Sequence, residues 1–133
     1  MPYMKLNVTR KLTHEQKKEL ANDLGEAITL IPNKIAKGLF LYIEDAKTIF
    51  VGGEEQVDYV FINTDICGKY NYEVKYKFTM AVYEIINRIL GTPNDRIAMK
   101  IAQYDGWANF GNYAMTDAFG NVIPYDEAVE KGL

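Results

Sequence analysis

Near the amino terminus Met4, Leu6 and Val8 alternate with Lys5, Asn7 and Thr9, the period that sends successive side chains to opposite faces of a β-strand. A second stretch, Val57 to Thr64, is rich in β-branched and aromatic residues and predicts another strand. After each of these the period changes. Leu20, Leu24 and Ile28 lie at helical spacing ahead of Pro32, and Ala81, Ile85 and Ile89 lie at the same spacing ahead of Pro93, so each set lines one face of a helix. Thr13-His14-Glu15-Gln16 supplies a capping box for the first helix, and Asn71 supplies part of the same start signal for the second. Each helix leads to a further apolar run, Leu39 to Glu44 and Ile97 to Tyr104.

These elements belong to an internal repeat. Ile31-Pro32-Asn33-Lys34-Ile35-Ala36 recurs as Thr92-Pro93-Asn94-Asp95-Arg96-Ile97-Ala98, with the preceding helices in the same phase. Each half therefore reads strand, helix, strand, and a crossover of that length makes the paired strands parallel, with a right-handed connection. The predicted fold is of the α/β (α+β) class: a tandem β-α-β pseudo-repeat forming one four-stranded mixed sheet with two helices on one face. Val51-Gly52-Gly53 punctuates the join, which puts the halves at about 2–53 and 54–114. Residues 115–133 form a carboxy-terminal extension, with turn signals at Phe119-Gly120-Asn121 and at Pro124, expected to pack on a neighbouring subunit. Leu39 to Ile43 is apolar at every position, so two helices would leave a greasy outer sheet face and unpaired edges, for which oligomerisation is the natural remedy.

Composition narrows the classes of function. The chain has 133 residues, 48% hydrophobic and 25% charged, the size of one ordinary globular domain. Its net charge of −3 is spread along the chain and offers no basic patch for phosphates, so a nucleic-acid partner is not expected. No apolar run is long enough for a membrane span and no leader pattern is visible, which predicts a cytoplasmic protein without a membrane partner. Cys67 is the single cysteine and His14 the single histidine, too few soft ligands for zinc. Neither a metal nor a cofactor is expected. Cys67 reads as a small apolar filler, and His14 as a surface residue at the start of the first helix.

Candidate chemistry begins at Pro2. Met1 precedes a small residue, the situation in which methionine aminopeptidase usually frees the next residue, and a freed proline is a secondary amine. An α-amino group ordinarily titrates at about 7.7–8.0, and burial or a nearby cation moves it towards neutrality, where it can act as a general base. Lys100 lies between Ala98 and Ala102 on one face of the last strand, and a long cation between two small side chains suggests a cavity. Trp107 and Phe110 sit in a Gly-flanked loop after that strand.

Taken in order, Pro2, the Glu15-Gln16-Lys17 helix opening, Ala46-Lys47 through Phe50-Val51-Gly52-Gly53, Pro93-Asn94-Asp95-Arg96-Ile97 and Asp105-Gly106-Trp107-Ala108-Asn109-Phe110-Gly111 resemble the tautomerase superfamily, which includes 4-oxalocrotonate tautomerase and the macrophage migration inhibitory factor-like proteins. The resemblance covers roughly residues 2–114 and marks them as a tautomerase-like domain. It implies a homotrimer with Pro2 at the bottom of a pocket near a subunit boundary, acting as general base on an α-keto acid or enol. The substrate carboxylate and the enolate charge require a cation. Lys34 and Lys37 lie where relatives place a substrate-binding group, Lys69 where some carry an arginine, and Lys100 where others carry a polar pocket residue. Trp107 and Phe110 are the implied pocket walls, and Tyr3, next to Pro2, is either pocket wall or simply strand. Ile28 and Asn109 stand where hydrating and dehalogenating relatives need a water-activating group, Ala98 stands where some carry a tyrosine, and Arg10 or Lys11 only partly replaces a missing arginine pair. The implied activity is keto–enol tautomerisation of a phenylpyruvate-like monocarboxylate. The alternatives are a non-catalytic trimeric binding module and a lyase that decarboxylates a β-keto acid.

Overall fold

Along the first strand, β1 (Pro2–Val8), residues Pro2, Met4, Leu6 and Val8 are buried while Tyr3, Lys5 and Asn7 are half-buried on the other side, the two-faced pattern read above. The computed structural model describes residues 2–109, 112–116 and 122–132. Helix α1 (His14–Ile28) follows, and a 3-10 turn at Ala36–Gly38 leads into β2 (Phe40–Glu44). A hairpin of β3 (Phe50–Val51) and β4 (Glu54–Glu55) joins the halves. Its tip is Gly52 and Gly53, at φ of 59° and 85°, the left-handed pair that a tight hairpin turn demands. Then come β5 (Val60–Cys67), α2 (Tyr72–Leu90), a 3-10 turn at Asn94–Arg96, and β6 (Ile97–Tyr104).

The four long strands form one sheet in the order β2-β1-β5-β6. β1 pairs parallel with β2 and β5 parallel with β6, while β1 and β5 run antiparallel at the centre. Each half is thus a β-α-β unit, as the repeat predicts, and the two units meet back to back to make the mixed sheet. One face of the sheet is covered by both helices. Leu20, Leu24 and Ile28 of α1 and Phe78, Val82, Ile85 and Ile86 of α2 close over Met4, Leu6, Val8, Val60 and Ile62.

The helices start where the capping signals lie. Thr13 accepts the Gln16 backbone N–H while the Gln16 side chain accepts that of Thr13, completing the capping box. Asn71 accepts the Val74 backbone N–H at 2.9 Å. Gly91, at φ 73°, ends α2 in a left-handed cap.

The open face differs from expectation. Of the apolar run in β2 only Phe40 and Tyr42 turn outward, because Leu41 and Ile43 pack against the core. The neighbouring strands present Lys5, Asn7, Asn63, Asp65 and Lys100 on that side. This face is polar with scattered aromatic residues, since the apolar run in β2 is split between two faces by the pleat.

Beyond β6, β7 (Gly106–Asn109), β8 (Asn112–Thr116) and β9 (Val122–Pro124) form a small antiparallel sheet, followed by α3 (Tyr125–Glu130). Strand β8 spans the boundary near residue 114 that the sequence suggested. Ile123 and Ala128 of the extension are buried within the chain itself. The expected turn at Phe119-Gly120-Asn121 is outside the described residues. Among the described residues no helix is long and apolar enough to cross a membrane.

Candidate active site

Pro2 heads β1 and is buried. A proline is tolerated at the first position of a strand, where the ladder does not depend on the N–H it lacks. It stands opposite Ile66 of β5, which in turn faces Gln103 of β6. A Cβ on Gly38 would come 3.9 Å from the Pro2 ring and 3.6 Å from Ile35, so the 3-10 turn before β2 closes the other side.

The next feature is set by a turn. Lys34 donates its backbone N–H to the Ile31 carbonyl at 3.1 Å, closing Ile31-Pro32-Asn33-Lys34. Proline in second place and Asn33 at φ 66° in third meet the demands of a type II turn, and asparagine tolerates the left-handed conformation. The turn sends the Lys34 side chain inward. It is only 7% exposed, and its ammonium donates to the Cys67 carbonyl at 2.9 Å. That carbonyl belongs to the residue after Ile66, the ladder partner of Pro2. Paired strands hold their Cα atoms about 5 Å apart, so Lys34 is anchored at the same end of the sheet as the proline.

Lys34 makes no ion pair with an acidic side chain among the described residues. A buried cation without a counter-charge is costly unless something compensates it. The second contact it has is the ring of Tyr70, whose centroid lies 5.8 Å from the ammonium. Gly68 makes this possible: at φ 112°, a conformation that disfavours any residue with a Cβ, it turns the chain out of β5 and donates to the Tyr104 carbonyl at 2.8 Å. Burial pushes the Cys67 thiol up, with Lys34 pulling partly the other way. A thiol held protonated is a poor nucleophile, in keeping with its role as filler.

The other predicted residues fall elsewhere. Lys37 and Lys69 are exposed. Lys100 is exposed on the open face opposite Asn63, three residues along β6 from Gln103, so within one chain it does not join Pro2 and Lys34. Tyr3 points to that same open face, between Phe40 and Asp65. Trp107 meets Tyr104 edge-on at 6.2 Å between ring centroids, and Tyr104 faces Cys67, which brings the tryptophan to the Pro2 end of the sheet. Phe110 lies outside the described residues. Arg10 is remote, some 25 Å along the strand at about 3.3 Å per residue. It hydrogen-bonds the Leu90 carbonyl and pairs with Asp58 at 3.2 Å, tying β1 to the end of α2. Sequence reasoning missed Ile35, Gly38, Tyr70 and Gln103 at the site. Ile35, Gly38 and Tyr70 lie outside the helices and strands that carry a period, and Gln103 is a polar residue at an exposed strand position that the pattern does not set apart.

A separate hollow of about 500 Å³ lies on the open face, lined by Lys5, Asn7, Glu44, Lys47, Thr48, Ile49 and Phe61. Its lining residue nearest Pro2 in β1 is Lys5, about 10 Å along the strand at about 3.3 Å per residue. Lys47 pairs with Glu44 there at 2.9 Å, so much of its charge is already internally neutralised. Among the described residues no three His, Cys, Asp or Glu side chains gather as a metal would require.

No protein-family model matches the sequence, nor does any curated protein. The fold, by contrast, is shared with solved structures. The chain superposes on MIF2 of Leishmania major with a TM-score of 0.75 at 16% identity, over 85% of this chain and 97% of that one. It matches N1, a member of the cis-3-chloroacrylic acid dehalogenase family, with a TM-score of 0.74 at 14% identity over 98% and 89%. The macrophage migration inhibitory factor homologue of Prochlorococcus marinus gives 0.71 at 15% identity over 89% and 99%. At these identities the likeness is one of fold.

Proposed function

We propose that this chain is a keto–enol tautomerase of the tautomerase superfamily, working as a cytoplasmic homotrimer on a phenylpyruvate-like α-keto acid. The observation that carries the reading is Lys34: a buried ammonium with no acidic partner among the described residues, anchored beside the strand that holds Pro2. Such a cation is placed to receive an anion that the folded chain does not itself supply. With Met1 removed, Pro2 presents a secondary amine to that anion. In the ketonising direction the neutral amine takes the enol hydroxyl proton, and the resulting ammonium delivers a proton to the adjacent carbon, so the amine is regenerated. Lys34 holds the carboxylate and steadies the enolate formed in between. Trp107 walls the site. Lys37, Lys69, Lys100, Tyr3 and Phe110 would take part through a neighbouring subunit or on closure over substrate.

Two features support an oligomer. β2 and β6 are edge strands of the sheet, and Tyr42 and Phe50 are 50% and 62% exposed; unpaired edges and exposed aromatic side chains invite a partner.

The test is kinetic. Protein lacking Met1 should ketonise phenylenolpyruvate, and Pro2→Ala should lose nearly all of that rate while keeping its Tm. Equal rates would overturn the proposal. A second reading, a binding module without turnover, is favoured by one fact: three of the four candidate lysines, Lys37, Lys69 and Lys100, are exposed in the chain. Mass spectrometry separates the two readings, because a retained Met1 blocks the amine. Product analysis with malonate semialdehyde tests the lyase alternative.

A further inference from the structure

We propose that Tyr70 is the positioning residue for Lys34, holding its ammonium ready for the substrate carboxylate; this rests on the reading of Lys34 given above. Lysine carries four rotatable bonds, and fixing them when a ligand arrives costs affinity. Here the fixing is done beforehand. The Cys67 carbonyl takes one N–H at 2.9 Å, and the Tyr70 ring faces the ammonium at 5.8 Å. An ammonium has three donors, so capacity remains for an incoming carboxylate.

Tyr70 is itself held from two directions. Its backbone N–H donates to the Gln103 side-chain oxygen at 2.7 Å, and Gln103 lies in the same sheet row as Ile66 and Pro2. Its ring packs against the hydrophobic core. The hydroxyl contributes least, reaching the Pro32 carbonyl only at 3.5 Å, at the outer limit of a hydrogen bond. The ring rather than the hydroxyl is therefore the working part. Three chain segments, the 31–34 turn, the 68–71 loop and β6, converge on one cation that periodicity alone could not single out.

The role predicts a particular split among variants. Tyr70→Phe keeps the ring and should bind and turn over substrate within about two-fold of the parent. Tyr70→Leu keeps much of the volume but loses the π-face, and KM for phenylenolpyruvate should rise about three- to thirty-fold, the range a desolvated cation–π contact spans, with kcat changed much less. Gln103→Ala leaves the ring in place but frees its loop, and should raise KM in the same direction by less, which keeps the idea testable should Tyr70→Leu fold poorly. An independent readout needs no turnover. In protein labelled with ¹³C at the lysine ε-carbon, the Lys34 methylene should be ring-current shifted in the parent and in Tyr70→Phe, and should move towards the ordinary lysine position in Tyr70→Leu. An unmoved Lys34 resonance in Tyr70→Leu overturns the proposal, as does a shifted resonance with unchanged KM. If no keto acid is turned over by any variant, the functional reading fails, while the resonance still decides whether Tyr70 holds Lys34.

Discussion

Replacing Lys34 by methionine separates a residue that serves the fold from one that serves a ligand. Methionine is unbranched and of similar length, so the buried channel stays filled. The variant loses the ammonium's hydrogen bond to Cys67 at 2.9 Å, worth about 1.5–3 kcal/mol for a charged donor, and its contact with the Tyr70 ring at 5.8 Å, worth up to about 2 kcal/mol. It also removes a cation that is only 7% exposed and faces no acidic side chain among the described residues. Desolvating such an ion costs several kcal/mol. The opposing contributions are of similar size, so the expected change in folding stability is within about 2 kcal/mol of zero and can have either sign.

Function should respond quite differently. A buried cation that meets a ligand carboxylate contributes about 2–5 kcal/mol when its partner is lost, so kcat/KM should fall by roughly thirty-fold to several thousand-fold. Urea unfolding at fixed temperature gives the first quantity, and ketonisation followed by ultraviolet absorbance gives the second. The reasoning is refuted if Lys34→Met unfolds more easily by over about 3 kcal/mol yet retains parental kcat/KM. That outcome would mean that the ammonium is a strut for Cys67.

Three further expectations follow from the surrounding structure. Asn71→Ala removes the side chain that accepts the Val74 N–H and should cost about 1 kcal/mol in a denaturant titration, with little change in the slope. Gly25 of α1 is buried, and an added Cβ would sit 3.4 Å from the Ala36 carbonyl oxygen, an ordinary contact; Gly25→Ala should therefore stabilise by up to about 1 kcal/mol in thermal unfolding, whereas Gly25→Leu should press on the 36–38 turn beside Pro2 and lower activity. On acidification, Asp23 is held below the usual carboxylate range by its hydrogen bond from Arg88 and then by Asn22, and Asp45 by the Leu12 backbone N–H and by Lys17. Because the folded pKa lies below the unfolded one, the stability they add is present above about pH 4 and is lost as the pH drops through that range and further. Tm measured from pH 6 to pH 3 should fall, and less steeply in Asp45→Asn.

The elements were legible because burial in them follows a period. Met4, Leu6 and Val8, or Leu20, Leu24 and Ile28, have neighbours at fixed offsets that face the same core, and such offsets can be read without coordinates. The outer surface of β2 was misread because a fully apolar run hides which residues alternate. It took the pairing of Leu41 with Met4 and Ile43 with Leu6 to resolve it.

Which of the candidate lysines lies nearest Pro2 was not legible, for a related reason. Lys34, Lys37, Lys69 and Lys100 are chemically alike; strand alternation places Lys100 on the open face, but Lys34, Lys37 and Lys69 are distinguished only by where a non-periodic backbone points each one. The two Pro-Asn copies make this concrete. Pro93-Asn94 enters a 3-10 turn immediately, and β6 starts at Ile97, which leaves no length of chain that could fold a side chain under the sheet end. Pro32-Asn33 instead makes a left-handed turn at Asn33, and Lys34 through Leu39 intervene before β2 begins at Phe40. That additional stretch supplies the buried lysine, Ile35 and the Gly38 that lies against Pro2. The repeat shared by the halves builds the sheet, and the loop in which the halves differ brings the buried lysine to its Pro2 end. Shortening 34–39 to the length of its counterpart should thus leave a folded sheet that has lost the buried Lys34 cation, a result that circular dichroism and keto-acid turnover would register separately.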